Sequence, residues 1–249
     1  MLSAVIQVGA IGLFLLAGLI WPRSREGFLQ HDTSVNLLTG AILFAFRVLV
    51  LAPVEALVGE GMFSVSDWPV WLQFAATFLA LDFMRYWLHR MHHRVPFFWQ
   101  FHRVHHSSEN LNATSGLRMH AVDLIQLTAL PLLVFHLLFD FASFAPGVVV
   151  GVLIVGGVMD AFAHADMTFD ITRPWHRRWN RVLNNPHFHA WHHTRDGNLR
   201  DGNYSNTLIF WDRLFGSDVT SDQLPEAFGV PRDQAVKNTA LGLQLLRPR

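Results

Sequence analysis

The chain has 249 residues, of which 51% are hydrophobic, 13% aromatic and only 15% charged. Soluble domains carry about 25% charged residues, so this deficit indicates a membrane protein or an unusually large core. The formal net charge is zero, which argues against nucleic acid as a partner. Because the sequence has no cysteine, disulfides, iron–sulfur clusters and thiolate zinc sites are excluded. Fifteen histidines are the compositional anomaly.

Five apolar stretches predict membrane-spanning helices. The first, Leu2–Ile20, is uncharged and long enough to cross a bilayer at about 1.5 Å per residue. It has no basic segment before it and no small-residue cleavage site after it, which favours a retained helix over a signal peptide. The other stretches are residues 37–58, 69–88, 122–144 and 146–163. The last two are compatible with two spans or with one hairpin that enters the membrane partway.

The distribution of basic residues predicts the orientation. The segments between spans two and three and between spans four and five contain no lysine or arginine, unlike the other connections and the C-terminal segment. The positive-inside rule then places the N-terminus outside and the C-terminus in the cytoplasm. We expect an all-α bundle of four or five spans in a bacterial inner membrane. It forms one domain over residues 1–249 and carries a cytoplasmic helical cap.

Three short segments place histidines at positions i, i+3 and i+4. They are residues 89–93, 102–106 and 189–193, and all lie on the predicted cytoplasmic side. On a helix these positions share one face, where two imidazoles can bind one metal ion and three can reach two ions. A structural zinc ion needs only four ligands, so eight or more histidines indicate at least two ions. A non-haem diiron centre is the best chemical fit, and a dizinc centre stays open.

Acidic residues near these histidines are candidates for orienting the imidazoles, because metal-bound histidines commonly donate their second N–H to a carboxylate. Asp82 precedes His89 by seven residues, Asp160 precedes His164 by four, and Asp166 follows His164 by two. A carboxylate at membrane depth is costly unless it is paired. Ordinary roles at a helix end or in a water-filled cavity stay open for Asp82 and Asp160.

The histidine segments resemble the boxes of the fatty acid hydroxylase/sterol desaturase superfamily. The family patterns HxxxH and HxxHH match residues 89–93 and 102–106, and the pattern Pro-x-x-His-x-x-His-His matches residues 186–193. The resemblance implies nine metal ligands: His89, His93, His102, His105, His106, His164, His189, His192 and His193.

Further elements of the family pattern follow in the right order, and the match covers about residues 70–217. Residues 118–120 and 164–166 resemble two elements, with Ala121 and Asp166 where the family has proline and asparagine. Residues 203–205 and 211–216 resemble the closing motif, with serine at position 205 where the family has glycine. Two roles stay open within these elements. His120 is a tenth ligand or a hydrogen-bonding neighbour, and Asp212 orients a ligand histidine or fixes its own turn.

The resemblance implies an O2-dependent oxidase with two iron ions, although zinc could replace iron in purified protein. Its substrate would be a lipid, such as a fatty acyl chain, a sterol or a hopanoid, which it hydroxylates or desaturates. Electrons would come from a separate ferredoxin-like or cytochrome-like donor. Two other classes stay open. A dizinc membrane hydrolase would need neither oxygen nor a donor, and a metal transporter would place its ligands inside the spans.

Overall fold

A computed structural model describes residues 2–23, 31–55, 59 and 61–247 of the chain. Within these residues the protein is helical, with isolated β-bridges and no strand. The predicted all-α class is confirmed. Residues 56–58, the end of the predicted second span, lie outside the described residues.

The structure divides into long helices and short helices. The long helices are α1 (Leu2–Ile20), α2 (His31–Leu51), α3 (Val70–Arg94), α4 (Pro96–His106), α5 (Ala121–Leu138) and α6 (Val148–His164). The short helices are α7 (Pro174–Trp179), α8 (Pro186–His192), α9 (Gly197–Arg200), α10 (Phe210–Leu214) and α11 (Ala240–Gln244). Helices α2 and α5 each contain a π-helical turn, Arg47–Leu51 and Ile125–Ala129 respectively, and α2 continues through Ala52–Glu55.

Three of the described helices, α1, α2 and α5, are long and apolar enough to cross a bilayer. Large apolar side chains on α1 face outward: Leu2, Val8 and Leu13 are 62%, 69% and 61% exposed. An apolar surface of this kind requires lipid rather than water as its neighbour. The chain is therefore a membrane protein. Helices α3 and α6 occupy the places of the third and fifth predicted spans.

Helix α3 is longer than the predicted third span and carries the first histidine segment at its end. Pro96 disfavours a helical conformation at the residue before it, and Val95 is accordingly extended, with φ −104° and ψ 114°. Pro96 then occupies the first turn of α4, where its missing N–H has no cost. The Val95–Pro96 pair thus ends one helix and begins the next, and places the first two histidine segments on adjacent helices.

Helix α5 is shorter than the predicted fourth span, because it ends at Leu138 rather than at residue 144. A polar turn follows, in which the Asp140 carboxylate accepts a hydrogen bond from the Ala142 N–H at 2.9 Å. Phe139 is extended and pairs with Phe63 in a β-bridge. The sequence pattern missed this end because phenylalanines continue past it.

Two of the three apolar clusters among the described residues hold α1, α3, α5 and α6 together. Ala10 and Ile11 of α1 pack with Ala161 of α6. Leu81 of α3 packs with Leu132 of α5 and with other residues of α5 and α6. Helix α6 is common to both clusters, so it aligns α1, α3 and α5 and brings the C-terminal end of α6 to the histidine-bearing end of α3.

A buried arginine joins the helical bundle to its cap. Arg118 is fully buried and forms an ion pair with Asp32 at 3.8 Å. Its guanidinium also donates hydrogen bonds to the Val104 carbonyl, the Ser107 hydroxyl and the side-chain oxygens of Asn36 and Asn238. The planar guanidinium can donate in several fixed directions at once, which an ammonium group cannot reproduce.

The substitution Arg118→Lys is expected to destabilise the protein by about 2–4 kcal/mol, because at least two charge-assisted hydrogen bonds are lost at a buried site. Thermal unfolding of the detergent-solubilised protein measures the effect. The control is Arg173→Lys, at an arginine whose side chain is 70% exposed. Equal unfolding temperatures for the two variants would contradict the role of Arg118.

Candidate metal centre

Nine histidine side chains converge where α3, α4, α6 and α8 meet. They form two groups, and within each group the nitrogens that could bind metal lie within 4.8 Å of one another. The first group is His89, His93, His102, His106 and His192, and the second is His105, His164, His189 and His193. The structure thus brings together all nine of the residues that the sequence predicted as ligands.

Local sequence features aim each helix at the centre. The Asn185 side chain accepts hydrogen bonds from the N–H groups of His187 and Phe188, both at 3.1 Å, and caps α8. Pro186 follows in the first turn. The capped turn fixes the start of a helix only seven residues long, whose histidines serve both groups.

The spacing between imidazole nitrogens matches shared metal binding. The Nε2 atoms of His89 and His102 are 3.0 Å apart, and those of His105 and His164 are 3.3 Å apart. His189 Nε2 lies 3.1 Å from that of His164. Two imidazole nitrogens that bind one ion at about 2.0–2.1 Å are separated by roughly 3 Å. Each close contact is therefore the separation expected for two ligands of one metal ion.

In the first group, the outer ring nitrogens fix which nitrogen faces inward. His89 Nδ1 lies 2.6 Å from the Tyr204 carbonyl, and His192 Nδ1 lies 2.8 Å from the Gly202 carbonyl. A carbonyl only accepts, so both Nδ1 atoms carry the proton and both Nε2 atoms present lone pairs. His102 Nδ1 lies 3.3 Å from the Asp123 carboxylate. The inward His89 and His102 lone pairs then face each other, an arrangement that requires a cation between them.

The second group follows the same rule. His105 Nδ1 donates to the Arg118 carbonyl at 3.1 Å, and His164 Nδ1 donates to the Asp160 carbonyl at 2.8 Å. Their Nε2 atoms again face each other as lone pairs. Anchoring the outer N–H of a histidine in this way is the usual arrangement around bound metal.

Several buried imidazole nitrogens at this centre have no hydrogen-bond partner in the described part of the chain. Buried polar atoms are nearly always paired in folded proteins, so unpaired ones here indicate a missing bonding partner. They are His93 Nε2, His106 Nδ1 and Nε2, His189 Nδ1, His192 Nε2 and His193 Nδ1. The donor set, its burial and its unpaired atoms fit two metal ions bound by imidazole.

Burial keeps these imidazoles neutral. Desolvation lowers the pKa of eight of them well below the ordinary histidine value, and neighbouring imidazoles lower it further. They are His89, His93, His102, His105, His106, His189, His192 and His193. Neutral imidazole is the form that binds metal, so at pH 7 no proton has to be displaced.

Two carboxylates that sequence analysis missed contact the first group. Asp123 lies between His102 and His92, with its oxygens 3.3 Å from His102 Nδ1 and 3.5 Å from His92 Nε2. Asp201 lies 3.2 Å from His93 Nδ1. A signal for Asp123 was present, because it is an acidic residue inside an apolar stretch and had to be paired. Asp201 had no comparable signal.

Two of the predicted carboxylate residues, Asp160 and Asp212, support histidines of the centre in part as predicted. The Asp160 backbone carbonyl accepts from His164 Nδ1, and its carboxylate lies 3.7 Å from the same nitrogen. Asp212 accepts hydrogen bonds from the N–H groups of Tyr204 and Ser205 at 2.8 and 2.9 Å. It thereby positions the carbonyl that holds His89, so its action on a histidine is indirect.

The other two predicted carboxylates, Asp82 and Asp166, bind partners outside the metal centre. The prediction that they orient imidazoles is therefore corrected. Asp82 accepts hydrogen bonds from the N–H groups of Thr207 and Leu208 and from the Trp211 indole, at 3.0–3.1 Å. It lies two helical turns before the first histidine box, roughly 10 Å along the axis, which is too far to reach an imidazole there. Asp166 instead forms an ion pair with Arg23 at 3.4 Å.

His120 and His92 lie beside the centre, with both nitrogens of His120 and one nitrogen of His92 in hydrogen bonds. His120 Nδ1 accepts from the Val122 N–H at 3.1 Å and caps α5, while its Nε2 donates to the Gln244 carbonyl at 2.9 Å. Of the two roles left open for His120, the structure places it as a hydrogen-bonding neighbour. His92 Nδ1 donates to the Leu88 carbonyl at 2.7 Å.

Comparison with known proteins adds to this geometry. The family model for fatty acid hydroxylase matches residues 74–217, which is more than half of the chain and contains all nine histidines. The chain belongs to the fatty acid hydroxylase family. The resemblance predicted from the histidine boxes is confirmed. No solved structure is significantly similar to the chain.

Several curated proteins resemble this family member. Alkylglycerol monooxygenase of Xenopus tropicalis is 36% identical over 157 residues, which are 62% of this chain and 31% of that protein. Ornithine lipid hydroxylase of Rhizobium tropici is 26% identical over 86% of this chain and 66% of its own length. Methylsterol monooxygenase 2-2 of Arabidopsis thaliana is 27% identical over 85% of this chain and 86% of its own length. The chain spans about a third of the length of the alkylglycerol monooxygenases it matches.

Removing the Asp123 carboxylate is expected to weaken metal binding in the first group. Asp123→Ala should lower metal affinity by roughly 10–100-fold, because the outer nitrogen of His102 loses its acceptor. Asp123→Asn should lose less, since the amide oxygen still accepts one hydrogen bond. Titration of metal-free protein with Fe²⁺ under anaerobic conditions measures the affinity.

The matched control is Asp140→Ala, which removes an aspartate from a turn that is capped by that side chain and follows α5. This variant should bind metal as the unmodified protein does. Metal affinity unchanged in Asp123→Ala would show that Asp123 does not support His102.

Proposed function

We propose that this protein is a membrane-bound, O2-dependent oxidoreductase that hydroxylates or desaturates a lipid at a pair of iron ions. The observation that carries the proposal is the pair of histidine groups at the end of an apolar helical bundle. Within each group, inward-facing Nε2 atoms lie 3.0–3.3 Å apart. Membership of the fatty acid hydroxylase family supports the same chemistry. The relatives named as monooxygenases and hydroxylases favour hydroxylation over desaturation.

The nine histidines would hold the metal pair, five around one ion and four around the other. When bound, two ferrous ions would supply electrons that reduce and activate O2, and O2 would be the oxidant that removes hydrogen from an unactivated carbon. The protein holds the imidazoles in fixed orientations through their outer nitrogens and excludes water by burial. It also positions the lipid, and a cavity of about 60 Å³ beside the histidines would admit the part of the lipid that reacts.

Sidedness and electron supply complete the proposal. The basic residues outside the predicted spans favour a cytoplasmic metal centre in a bacterial inner membrane. Lipid oxidation with O2 needs two electrons for each turnover, and a separate ferredoxin-like or cytochrome-like protein would deliver them. Residues 1–249 would act as one domain.

Iron content distinguishes this proposal from a dizinc hydrolase. Protein expressed in iron-replete medium and purified without oxygen should contain about two irons per chain, because two groups of histidines are present. The double variant His105→Ala/His192→Ala removes one ligand from each group and should lose most of this iron. Elemental analysis measures both proteins, with His176→Ala, outside both groups, as the control.

Two outcomes would contradict the proposal. Two zinc ions that persist in iron-replete, freshly prepared protein would favour a hydrolase instead. Folded protein without bound metal would contradict the metal centre itself.

Iron-loaded protein supplied with a reductase system and a membrane lipid extract should consume O2, whereas the double variant should not.

A further inference from the structure

The Arg85 side chain lies beside the cavity that would accept the lipid. Arg85 lies on α3 one helical turn before His89, so the two side chains share a face of the helix. No hydrogen bond or ion pair joins the Arg85 guanidinium to another residue that the structure describes. Asp82, three residues earlier, is the acidic group in its electrostatic range, but its oxygens already accept three hydrogen bonds from residues 207–211.

Arg85 lines two cavities that adjoin one another. The first cavity borders the metal centre and is lined by His89, His105 and His164 among others. The second lies between α3, α5 and α6 and is lined mainly by apolar side chains, including Phe78, Leu132 and Leu153. The two cavities share four lining residues: Arg85, Leu127, Thr128 and Asn206. The cavities therefore adjoin one another at these residues, with Arg85 between the apolar helices and the histidines.

The junction has room for a ligand group beside the guanidinium. Gly156 of α6 faces it, and a Cβ at that position would lie 3.4 Å from the Arg85 guanidinium and 3.9 Å from the Asn206 amide nitrogen. The Asn206 amide nitrogen already donates to the Gly156 carbonyl at 3.4 Å and to the Thr207 hydroxyl at 3.2 Å. The glycine therefore leaves the Arg85 guanidinium as the donor that a ligand can reach. Asp160 lines the cavity one helical turn further along α6, next to His164. Acidic side chains line both cavities: Asp82 lines the apolar one, and Asp123 and Asp160 line the one at the metal centre.

We propose that Arg85 binds an oxygen acceptor of the lipid substrate, so that the carbon oxidised is close to that oxygen and the apolar chain extends between α3, α5 and α6. This inference rests on the proposed function and names the substrate class within it. Arg85 is partly buried beside a mainly apolar cavity, where an oxygen acceptor would stabilise its charge. A guanidinium next to a cavity pairs best with carboxylate, ester or phosphate oxygen.

The geometry also limits where oxidation occurs. Arg85 and His89 are one helical turn apart, about 5–6 Å along α3. An oxygen held by Arg85 therefore places only the carbons within a few bonds of it beside the metal centre. Carbons near the far end of the chain lie in the apolar cavity, away from the histidines. Lipids without an oxygen atom near one end should be poor ligands.

Occupancy of the cavity can be measured without turnover, because the chain has no cysteine. In the variant Thr128→Cys, a single thiol lines both cavities. Its labelling by N-ethylmaleimide is followed by mass spectrometry with hexadecanoate, methyl hexadecanoate or hexadecane present. Both oxygenated lipids should slow labelling, and hexadecane should slow it much less. If only hexadecanoate protects, the acceptor bound is a charged carboxylate; if the ester protects as well, a neutral oxygen suffices.

Adding Arg85→Leu to the Thr128→Cys variant tests the role of the guanidinium. Protection by the oxygenated lipids should weaken roughly tenfold, because a charge-assisted hydrogen bond is lost. The weaker protection by hexadecane should stay unchanged, which also shows that the cavity is intact. Arg85→Lys should retain part of the protection by hexadecanoate.

The variant Leu79→Cys controls for shielding by lipid in the micelle, since Leu79 is 46% exposed on the outside of α3. All three lipids should affect its labelling equally. Equal protection of the Thr128→Cys thiol by hexadecane and hexadecanoate, or protection by hexadecanoate that survives Arg85→Leu in full, would overturn the inference. Because no metal or O2 is needed, this result is independent of whether the protein is an oxidase.

Discussion

The structure depends on one constraint: each imidazole of the centre has to present a lone pair inward, in an environment that excludes water. The outer ring nitrogens meet this constraint by donating to fixed acceptors, such as the carbonyls of Tyr204, Gly202 and Arg118. Neutral imidazoles with buried, convergent lone pairs repel one another, so the arrangement is stable only with cations between them. Metal binding and folding of the cap are therefore expected to be coupled.

The segment from Asp201 to Tyr204 shows how the chain satisfies this constraint economically. It supplies acceptors to three histidines of the first group: the Asp201 carboxylate to His93 and two backbone carbonyls to His89 and His192. Asn203 holds the turn in a left-handed conformation, with φ 57°. Its side chain donates to the carbonyls of Phe188 and Val219. Residues that bind no metal thus determine the direction of those that would.

Periodicity predicted the helices, and spacing predicted three histidine segments that contain eight of the nine ligands, because i, i+3 and i+4 positions share a face whatever the tertiary structure is. His164 was implied by the family resemblance. Helix ends were predicted less well, since Val95–Pro96 and Asp140 act locally inside apolar or basic runs. Asp201 could not be predicted as a partner of His93, because it approaches from a segment distant in sequence. Asp123 is also distant in sequence from His102, although its place in an apolar stretch signalled that it had to be paired. Asp82 shows the converse: it lies close to His89 in sequence, but its carboxylate accepts hydrogen bonds from the N–H groups of Thr207 and Leu208.

The central claim is that imidazoles from the two groups hold a pair of iron ions. Iron K-edge X-ray absorption of the iron-loaded protein tests it most directly. The account predicts a first shell of nitrogen and oxygen at about 2.0–2.2 Å, the outer-shell scattering typical of several imidazoles, no sulfur, and two irons per chain. A spectrum of aquated or carboxylate-bound iron without imidazole scattering, or a stoichiometry of one iron, would contradict it.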